Sequence, residues 1–223
     1  MDQISTLISI QSGKIIKEPK YESAFDKNQY HQKIQIKNTG LVGDEIADKK
    51  HHGGIDKAVF ANSFKNYKQW REFLGLKELN FGALGENLTF DSICEDDVCI
   101  GDIHKIGTTI LQVSQPRKPC WKISHRWNNK DFTKYIYKTG RTGWYYRVLQ
   151  EGFINKNDKV KLVQKGESQI SIALANQVYQ DPDSNKDIAK ILLDSKILAT
   201  AWRNGLIKRL TKEEKLSYMI PPK

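Results

Sequence analysis

One cysteine of this sequence lies in a stretch crowded with cations and prolines. Residues 115–123 read QPRKPCWKI, so Cys120 has Arg117, Lys118 and Lys122 within three positions. Neighbouring cations favour the thiolate, the form of cysteine that attacks electrophiles and binds soft metals. If the stretch is extended, Lys118, Cys120 and Lys122 project to the same side. The alternative is a buried structural cysteine, which leaves the cations and the prolines unexplained.

A second polar segment, DKKHHGGIDKAVF at 48–60, combines two histidines with two glycines. Adjacent glycines let the backbone turn sharply, and their N–H groups can then hold an anion. The side chains around them add cationic donors and imidazoles that can hydrogen-bond a ligand or deliver a proton. A hairpin turn with solvated charges fits the pattern equally well. The candidate residues here are His51, His52, Gly53, Gly54, Asp56 and Lys57.

Two further turns carry groups able to bind a ligand. GALGENLTF places Glu86 and Asn87 before an apolar stretch, and the Asn87 amide can both donate and accept hydrogen bonds. On its own this pattern favours a plain loop. TGRTGWYYRVL places Arg141 between glycines, an arrangement suited to an anion clamp. The aromatic residues 144–146 in the same segment are more typical of core and rim positions than of ligand contacts.

The composition is that of an ordinary soluble globular protein, with 39% hydrophobic and 28% charged residues among 223. No apolar run approaches the roughly 18 residues of a membrane helix, and the first residues lack the features of a signal peptide. We therefore predict a cytoplasmic protein. Three cysteines are too few for a disulfide framework, and Cys94 and Cys99 lack the second ligand pair of a structural zinc site. The motifs G-x-S-x-G, G-x-x-x-x-G-K-[ST] and G-x-G-x-x-G after a strand are all absent, which argues against three large enzyme classes.

The formal net charge of +10 indicates an anionic partner. Nucleic acid and a phosphorylated cofactor both meet this requirement, and the basic residues are spread along the chain rather than clustered in one tail. Charge alone therefore leaves both kinds of partner open.

Short β-prone stretches separated by glycine and Asn/Asp turns fill the first three quarters of the chain, and a mixed sheet curled into a barrel buries them best. The predicted strands are 4–10, 33–38, 58–63, 98–107, 109–115 and 158–163. Two predicted helices interrupt them, at 62–75 and 128–140, each with an apolar stripe and a terminal glycine.

The spacing of apolar residues becomes helical after residue 168, over 170–180, 185–194, 196–210 and 212–220. We therefore predict a mainly β fold with helices: a β-barrel domain over 1–167, followed by a small α-helical domain over 168–223. So short a helical segment lacks a sufficient core of its own, so we expect it to dock on the barrel or on a second subunit.

The motifs HHGGIDKAV, GENLT and PRKPCWK, in this order, resemble the MOSC domain, which is named for the C-terminal domain of molybdenum cofactor sulfurase. GLVGDEIADKKHHGGIDKAV and TGRTGWYYRVLQEG are similar to its stand-alone bacterial branch, the YiiM-like proteins. That branch also carries a short three-helix domain at its C-terminus. The resemblance covers nearly the whole chain and shows no departure within the three core motifs.

The resemblance implies a MOSC-type β-barrel that binds the molybdenum cofactor (Mo-molybdopterin), a pterin with a dithiolene and a phosphate. It implies that Cys120 ligates the metal and, with His52, takes part in catalysis, while which of His51 and His52 faces the site stays open. Pyridoxal phosphate binding is a second association of the family as a whole. The implied cofactor contacts are His51, His52, Gly53, Gly54, Asp56, Lys57, Glu86, Asn87, Arg117, Lys118 and Arg141.

The implied activity is the reduction of N-hydroxylated compounds, such as hydroxylaminopurines, to amines. Because the sequence contains no evident flavin or iron–sulfur signature, the electrons would come from a separate reductase. Two other functions stay open: a cofactor or sulfur carrier that uses Cys120, and a basic nucleic-acid-binding barrel that is indifferent to Cys120. No nucleic-acid signature is present, so we expect no nucleic acid and no membrane among the partners, and the helical tail favours a homodimer.

Overall fold

The computed structural model describes residues 2–17, 21–213 and 216–221. The strands over these residues are β1 Asp2–Ser12, β2 Ile16–Lys17, β3 Glu22–Ser23, β4 Asn28–Gln29, β5 Ile34–Lys37, β6 Gly40–Leu41, β7 Val59–Ser63, β8 Leu88–Phe90, β9 Ile103–Ile106, β10 Thr109–Pro116, β11 Trp144–Gln150, β12 Gly152–Ile154 and β13 Lys159–Gln164. The helices are α1 Lys49–His52, α2 Tyr67–Leu74, α3 Lys122–Arg126, α4 Phe132–Thr139, α5 Ile172–Gln180, α6 Lys186–Asp194 and α7 Thr200–Leu210. Single 3₁₀ turns occupy Ile55–Lys57, Phe64–Asn66 and Ser217–Met219.

Seven strands close into a barrel in the order β13-β9-β10-β11-β7-β8-β1, and β1 pairs back with β13. The neighbouring strands are antiparallel except β7 and β8, which run parallel. At the closing seam Gln3 lies opposite Lys161, and Thr6 lies opposite Lys159. Closure removes the unpaired edges that an open sheet would present. The predicted β-barrel is confirmed.

The C-terminal helices pack on the barrel of their own chain. Inward-facing barrel residues such as Leu7, Val113 and Trp144 belong to one continuous apolar core with Val178 of α5 and Trp202 of α7. The helices obtain from this shared core the apolar burial that they lack by themselves. The proposed division between residues 167 and 168 stays a prediction, because one core spans both parts.

Both helices predicted within the barrel region are present. The Ser63 side chain accepts a hydrogen bond from the N–H of Lys65 (3.2 Å) at the start of the first, which continues as α2 and ends at Gly75 with φ +68°. The second, α4, ends in the same way at Gly140, with φ +69°. Glycine suits both ends because a left-handed residue completes the helix terminus. The apolar stripes of the two helices pack together beside the barrel.

Several elements differ from the sequence prediction. Only Ile103–Ile106 of the predicted strand 98–107 is a strand, because Asp102 bends the chain before it by accepting hydrogen bonds from the N–H groups of Cys99 (2.9 Å) and Gly166 (2.8 Å). The sequence analysis did not predict β11 or β12. The expected helix over 212–220 is only the turn Ser217–Met219, and residues 214–215 lie outside the described chain.

A substitution at Gly143, which leads into β11, would test how tightly the barrel packs at this point. Its φ is +72°, and a Cβ there would meet the carbonyl oxygen of Ala61 well inside contact distance. Gly43 has φ +91° with open space around it, so Gly43→Ala measures the backbone cost alone. We expect Gly43→Ala to lower the free energy of unfolding by about 1 kcal/mol and Gly143→Ala by more than about 2 kcal/mol, measured by urea denaturation. Equal losses would show that β7 yields to the added methyl group.

Candidate functional site

A cleft beside the barrel brings together parts of all three motifs. The empty space between its walls is about 640 Å³, including the part that is open to solvent. Five segments of the chain, together with two single side chains, form its walls. The lining residues are Ser23, Ala24, Phe25, Lys27, Asp44, Glu45, Ile46, Ala47, Asp48, Lys57, Ala58, Phe60, Leu84, Gly85, Asn87, Arg117, Cys120 and Lys122, with His52 and Tyr145.

Cys120 lies at the wall of this cleft as a free thiol with 8% exposure. It is not in an extended segment: β10 ends at Pro116, and the chain turns into α3 directly after Trp121. The Cys120 carbonyl accepts hydrogen bonds from the N–H of Ile123 (3.1 Å) and the hydroxyl of Thr133 (3.1 Å). Because the chain turns here, Lys122 lines the cleft with Cys120 while Lys118 points elsewhere.

Arg117 is the most deeply buried cation of the cleft, with 4% exposure. Two of its guanidinium nitrogens, Nε and Nη1, are buried without an acceptor in the described chain. The group lies 5.3 Å from the ring centroid of Phe60, a cation–π contact, and the Arg117 N–H donates to the carbonyl of Gly143 (3.1 Å). Unfilled donors on a buried cation are costly. Arg117 is therefore suited to binding an anion.

Two lysines add positive charge to the same cleft. Lys57 Nζ donates to the carbonyl of His51 (2.6 Å), and burial lowers the pKa of Lys57 although Asp48 and Asp56 raise it. Lys122 Nζ donates to the carbonyl of Glu22 (2.9 Å). Neither of these contacts is with a carboxylate, so the positive charge of both side chains remains available to a ligand.

Lys27 is a cleft cation that is already neutralised. It forms an ion pair with Asp44, and the two side chains are 7% and 10% exposed. Burial lowers the pKa of Lys27, while Asp44 opposes this shift. The Lys27–Asp44 pair therefore gives the cleft wall a fixed polar surface without net charge.

The two histidines of the HHGG segment have different surroundings. The side chain of His51 is 67% exposed, and its Nδ1 contacts Asp48 (2.8 Å). His52 lines the cleft, where burial and the nearby Arg117 lower its pKa to about 3. His52 is therefore the histidine that faces the site. It is a neutral imidazole at physiological pH, which favours the expected role of hydrogen-bonding a ligand over that of delivering a proton.

Asn87 lines the cleft but uses its amide within the protein. Its Oδ1 accepts from the N–H of Phe60 (3.1 Å), and its Nδ2 donates to Asp44 (2.8 Å) and to the carbonyl of Gln11 (3.3 Å). These bonds tie β1, β7 and the 44–48 segment together. Asn87 thus shapes the cleft wall, and its amide is less available to a ligand than the sequence indicated.

Glu86 lies behind the cleft wall instead of in it. It is fully buried and accepts hydrogen bonds from the Tyr67 hydroxyl and from the N–H groups of Gly82 (3.2 Å) and Leu84 (3.0 Å). Burial raises its pKa despite these bonds. The structure gives Glu86 the role of organising the 82–87 turn.

The structure also places other predicted contacts away from the cleft. Asp56 forms an ion pair with Arg147 (2.7 Å), and Arg141 donates to the Asn66 side chain (3.3 Å) beside the buried Glu95. Each of these side chains has a partner outside the cleft, which explains its direction. The remaining predicted contacts that do not line the cleft are His51, Gly53, Gly54 and Lys118.

Sequence reasoning missed Tyr145, which faces the cleft and contacts Phe60 with ring centroids 5.1 Å apart. Trp144 and Tyr146, its neighbours on β11, are fully buried in the barrel. Alternation along a strand places the middle residue of three on the opposite face, so a strand prediction here would have identified it. Lys27 carries no comparable signal, because its segment lacks a motif, and Asp44 lies within GLVGDEIADKKHHGGIDKAV without a pattern that marks it as a site residue.

The cleft provides one thiol for a metal but not a complete set of protein ligands. In the described chain, no three side chains of His, Cys, Asp or Glu converge as metal ligands. A metal at Cys120 would therefore have to bring most of its ligands with it. Soft sulfur ligands are suitable partners for such a metal.

The fold and the site together define a barrel protein with a cysteine and a buried cation at the wall of one cleft. A sequence model described as the MOSC domain matches residues 48–161, about half of the chain. The chain belongs to the MOSC domain family, and its relatives make it a YiiM-like stand-alone member.

Two YiiM proteins are similar to this chain over nearly the full length, and a third protein is similar over part of it. The protein YiiM of Escherichia coli is 33% identical over 205 residues, 91% of each chain. The crystal structure of YiiM from Geobacillus stearothermophilus is 34% identical with a TM-score of 0.80, covering 92% of this chain and 99% of that one. A protein of Gibberella moniliformis named "Reductase" is 37% identical over 165 residues, 71% of this chain and 29% of its own length.

None of the helices in the described residues is long and apolar enough to cross a membrane.

The lowered pKa of His52 predicts a loss of stability in acid. Between its ordinary pKa of 6.5 and about 3, the unfolded chain binds a proton that the folded chain does not. The contribution is therefore complete above pH 6.5 and is lost as the pH falls towards 3. The part of it that is lost by pH 5 is at most about 2 kcal/mol.

We expect His52→Gln to lose less free energy of unfolding than the wild type between pH 7.5 and pH 5, measured by urea denaturation. His51→Gln is the matched control, because that neighbouring side chain is exposed. The same acid sensitivity in His52→Gln and the wild type would contradict the prediction.

Proposed function

We propose that this protein is a molybdenum-cofactor-dependent reductase that converts N-hydroxylated compounds, such as hydroxylaminopurines, to amines. One observation carries the proposal: the Cys120 thiol shares a cleft with Arg117, whose buried guanidinium has two nitrogens without acceptors. Family membership supports the cofactor, and the name of the Gibberella relative supports the reaction class.

The residues of the cleft fit the molybdenum cofactor chemically. The dithiolene would supply the sulfur ligands that the protein lacks, and Cys120 would add one thiolate. Arg117, Lys57 and Lys122 match the negative charge of a phosphate and a dithiolene. The aromatic rings of Phe60 and Tyr145 offer flat apolar surface for a pterin.

The proposed reaction requires two electrons and two protons for each N–O bond, and it yields an amine and water. The cofactor, when bound, would supply the electrons, which we propose come from a separate reductase. The protein contributes orientation through Arg117 and Lys122 and excludes bulk water from Cys120, which is 8% exposed.

Proton delivery falls to groups that are protonated at neutral pH. His52 is neutral there, so its role is to hydrogen-bond the ligand. Burial lowers the pKa of Lys57, which makes its ammonium a stronger acid than a solvated lysine. We therefore propose Lys57 as the proton donor, with the bond to the His51 carbonyl holding it in place.

Metal analysis tests the cofactor directly. We expect close to one molybdenum per chain in protein from a host that makes the cofactor, and about a tenfold loss or more in Cys120→Ala, because the metal loses its protein ligand. Cys99→Ala is the control, since Cys99 is equally buried but lies outside the cleft. Full molybdenum content in Cys120→Ala would overturn the proposal. Molybdenum without turnover of hydroxylaminopurine would favour a cofactor carrier.

Substitutions of two arginines, one inside the cleft and one outside it, test the anion site. We expect Arg117→Gln to reduce the molybdenum content about tenfold or more, because a buried cationic donor to the cofactor is lost. Arg141→Gln removes a cation that lies outside the cleft and should leave the content within about twofold of the wild type. Equal losses of molybdenum in the two variants would indicate a general effect of positive charge and would contradict a specific role for Arg117.

A further inference from the structure

Lys118 belongs to the cysteine motif but turns away from the cleft towards the C-terminal helices. Its Nζ lies 4.6 Å from the ring centroid of Tyr179 in α5 and 5.8 Å from that of Tyr218. Both distances are within the range of cation–π contacts. A side chain two residues before Cys120 is thus held between two aromatic rings of the C-terminal region.

Gly205 of α7 provides the space that Lys118 occupies. A Cβ at this position would meet Lys118 Nζ well inside contact distance and would lie 2.9 Å from the Tyr179 hydroxyl. Glycine within a helix costs about 1 kcal/mol relative to alanine. Its presence in the middle of α7 is explained by the lysine that passes over it.

A second contact fixes the other side of Cys120. The N–H of Trp121 donates to the carbonyl of Tyr218 (2.9 Å), and the Thr133 hydroxyl of α4 donates to the Cys120 carbonyl (3.1 Å). The C-terminal region therefore holds the chain both before and after the cysteine.

We infer that Lys118 is a positioning residue, through which the C-terminal helices hold the Cys120 loop in place. This inference goes beyond a cofactor contact for Lys118, and its importance for activity rests on the proposed function of Cys120. The inference itself concerns the loop, so it can be tested on protein without cofactor.

The test measures the rate at which iodoacetamide labels Cys120, as a function of pH, in Lys118→Met and Gly205→Ala. Lys118→Met removes the charge and keeps most of the side-chain stem. Gly205→Ala displaces the Lys118 side chain without a substitution in the loop itself. We expect Cys120 to be labelled at least about threefold faster in each variant at the high-pH limit, because the loop opens more often. Lys118→Arg keeps a cation over the two rings and should bring the labelling rate back towards that of the wild type.

Mass spectrometry of separate peptides gives two internal controls, because Cys94 and Cys99 are also buried thiols. Lys134→Met on the exposed face of α4 is the control substitution. In the double variant, the effects of Lys118→Met and Gly205→Ala should be less than additive, because both act on one contact.

Unchanged labelling of Cys120 in both variants would overturn the inference, and so would equal increases at all three cysteines, which indicate general loosening. The measurement needs no molybdenum, so its outcome is independent of whether the cofactor binds. A positive result without molybdenum binding in any preparation would separate the two proposals.

Discussion

A positive charge held out of water beside a thiol is the constraint on which the rest of the site depends. The guanidinium of Arg117 has two nitrogens without acceptors among the described residues, a cost that the fold must offset elsewhere. The Phe60 ring contacts one face of the group, and the backbone of Arg117 is tied to Gly143. Glu95 in turn accepts from the Gly143 N–H (2.8 Å). These contacts hold the Arg117 guanidinium in place and leave its donors available to a ligand.

Burial and the positive field together set the state of the neighbouring groups. Burial is the main cause that lowers the pKa of His52, and Arg117 and Lys57 add to it, so the imidazole stays neutral. The acids nearby do not cancel the field, because Asp44 is paired with Lys27 and Asp48 contacts His51. An anion that enters the cleft meets donors and a neutral imidazole, and this combination favours binding through several hydrogen bonds at once.

The sequence was sufficient for the barrel and the two inserted helices, which follow from apolar period and terminal glycines as local signals. The convergence of Cys120, Arg117 and Lys57 was implied by the resemblance to the MOSC family. The sequence was insufficient for the direction of side chains at turns. An extended chain would place Lys118 on the same side as Cys120, but the chain turns into α3 after Trp121, so the two side chains point differently. Contributions from segments far apart in sequence, such as Lys27 with Asp44, have no local pattern and become visible only when the barrel closes.

The position of the barrel seam has a consequence for synthesis. The first strand, β1, pairs with β13, which ends at Gln164, so the barrel cannot close until three quarters of the chain has left the ribosome. Pairing between strands so far apart in sequence is also slow, because the conformational entropy of the intervening chain is lost before the stabilising contacts form. The contacts from Tyr179 and Tyr218 arrive later still. The cysteine loop therefore reaches its final geometry only after the C-terminal helices have packed on the closed barrel.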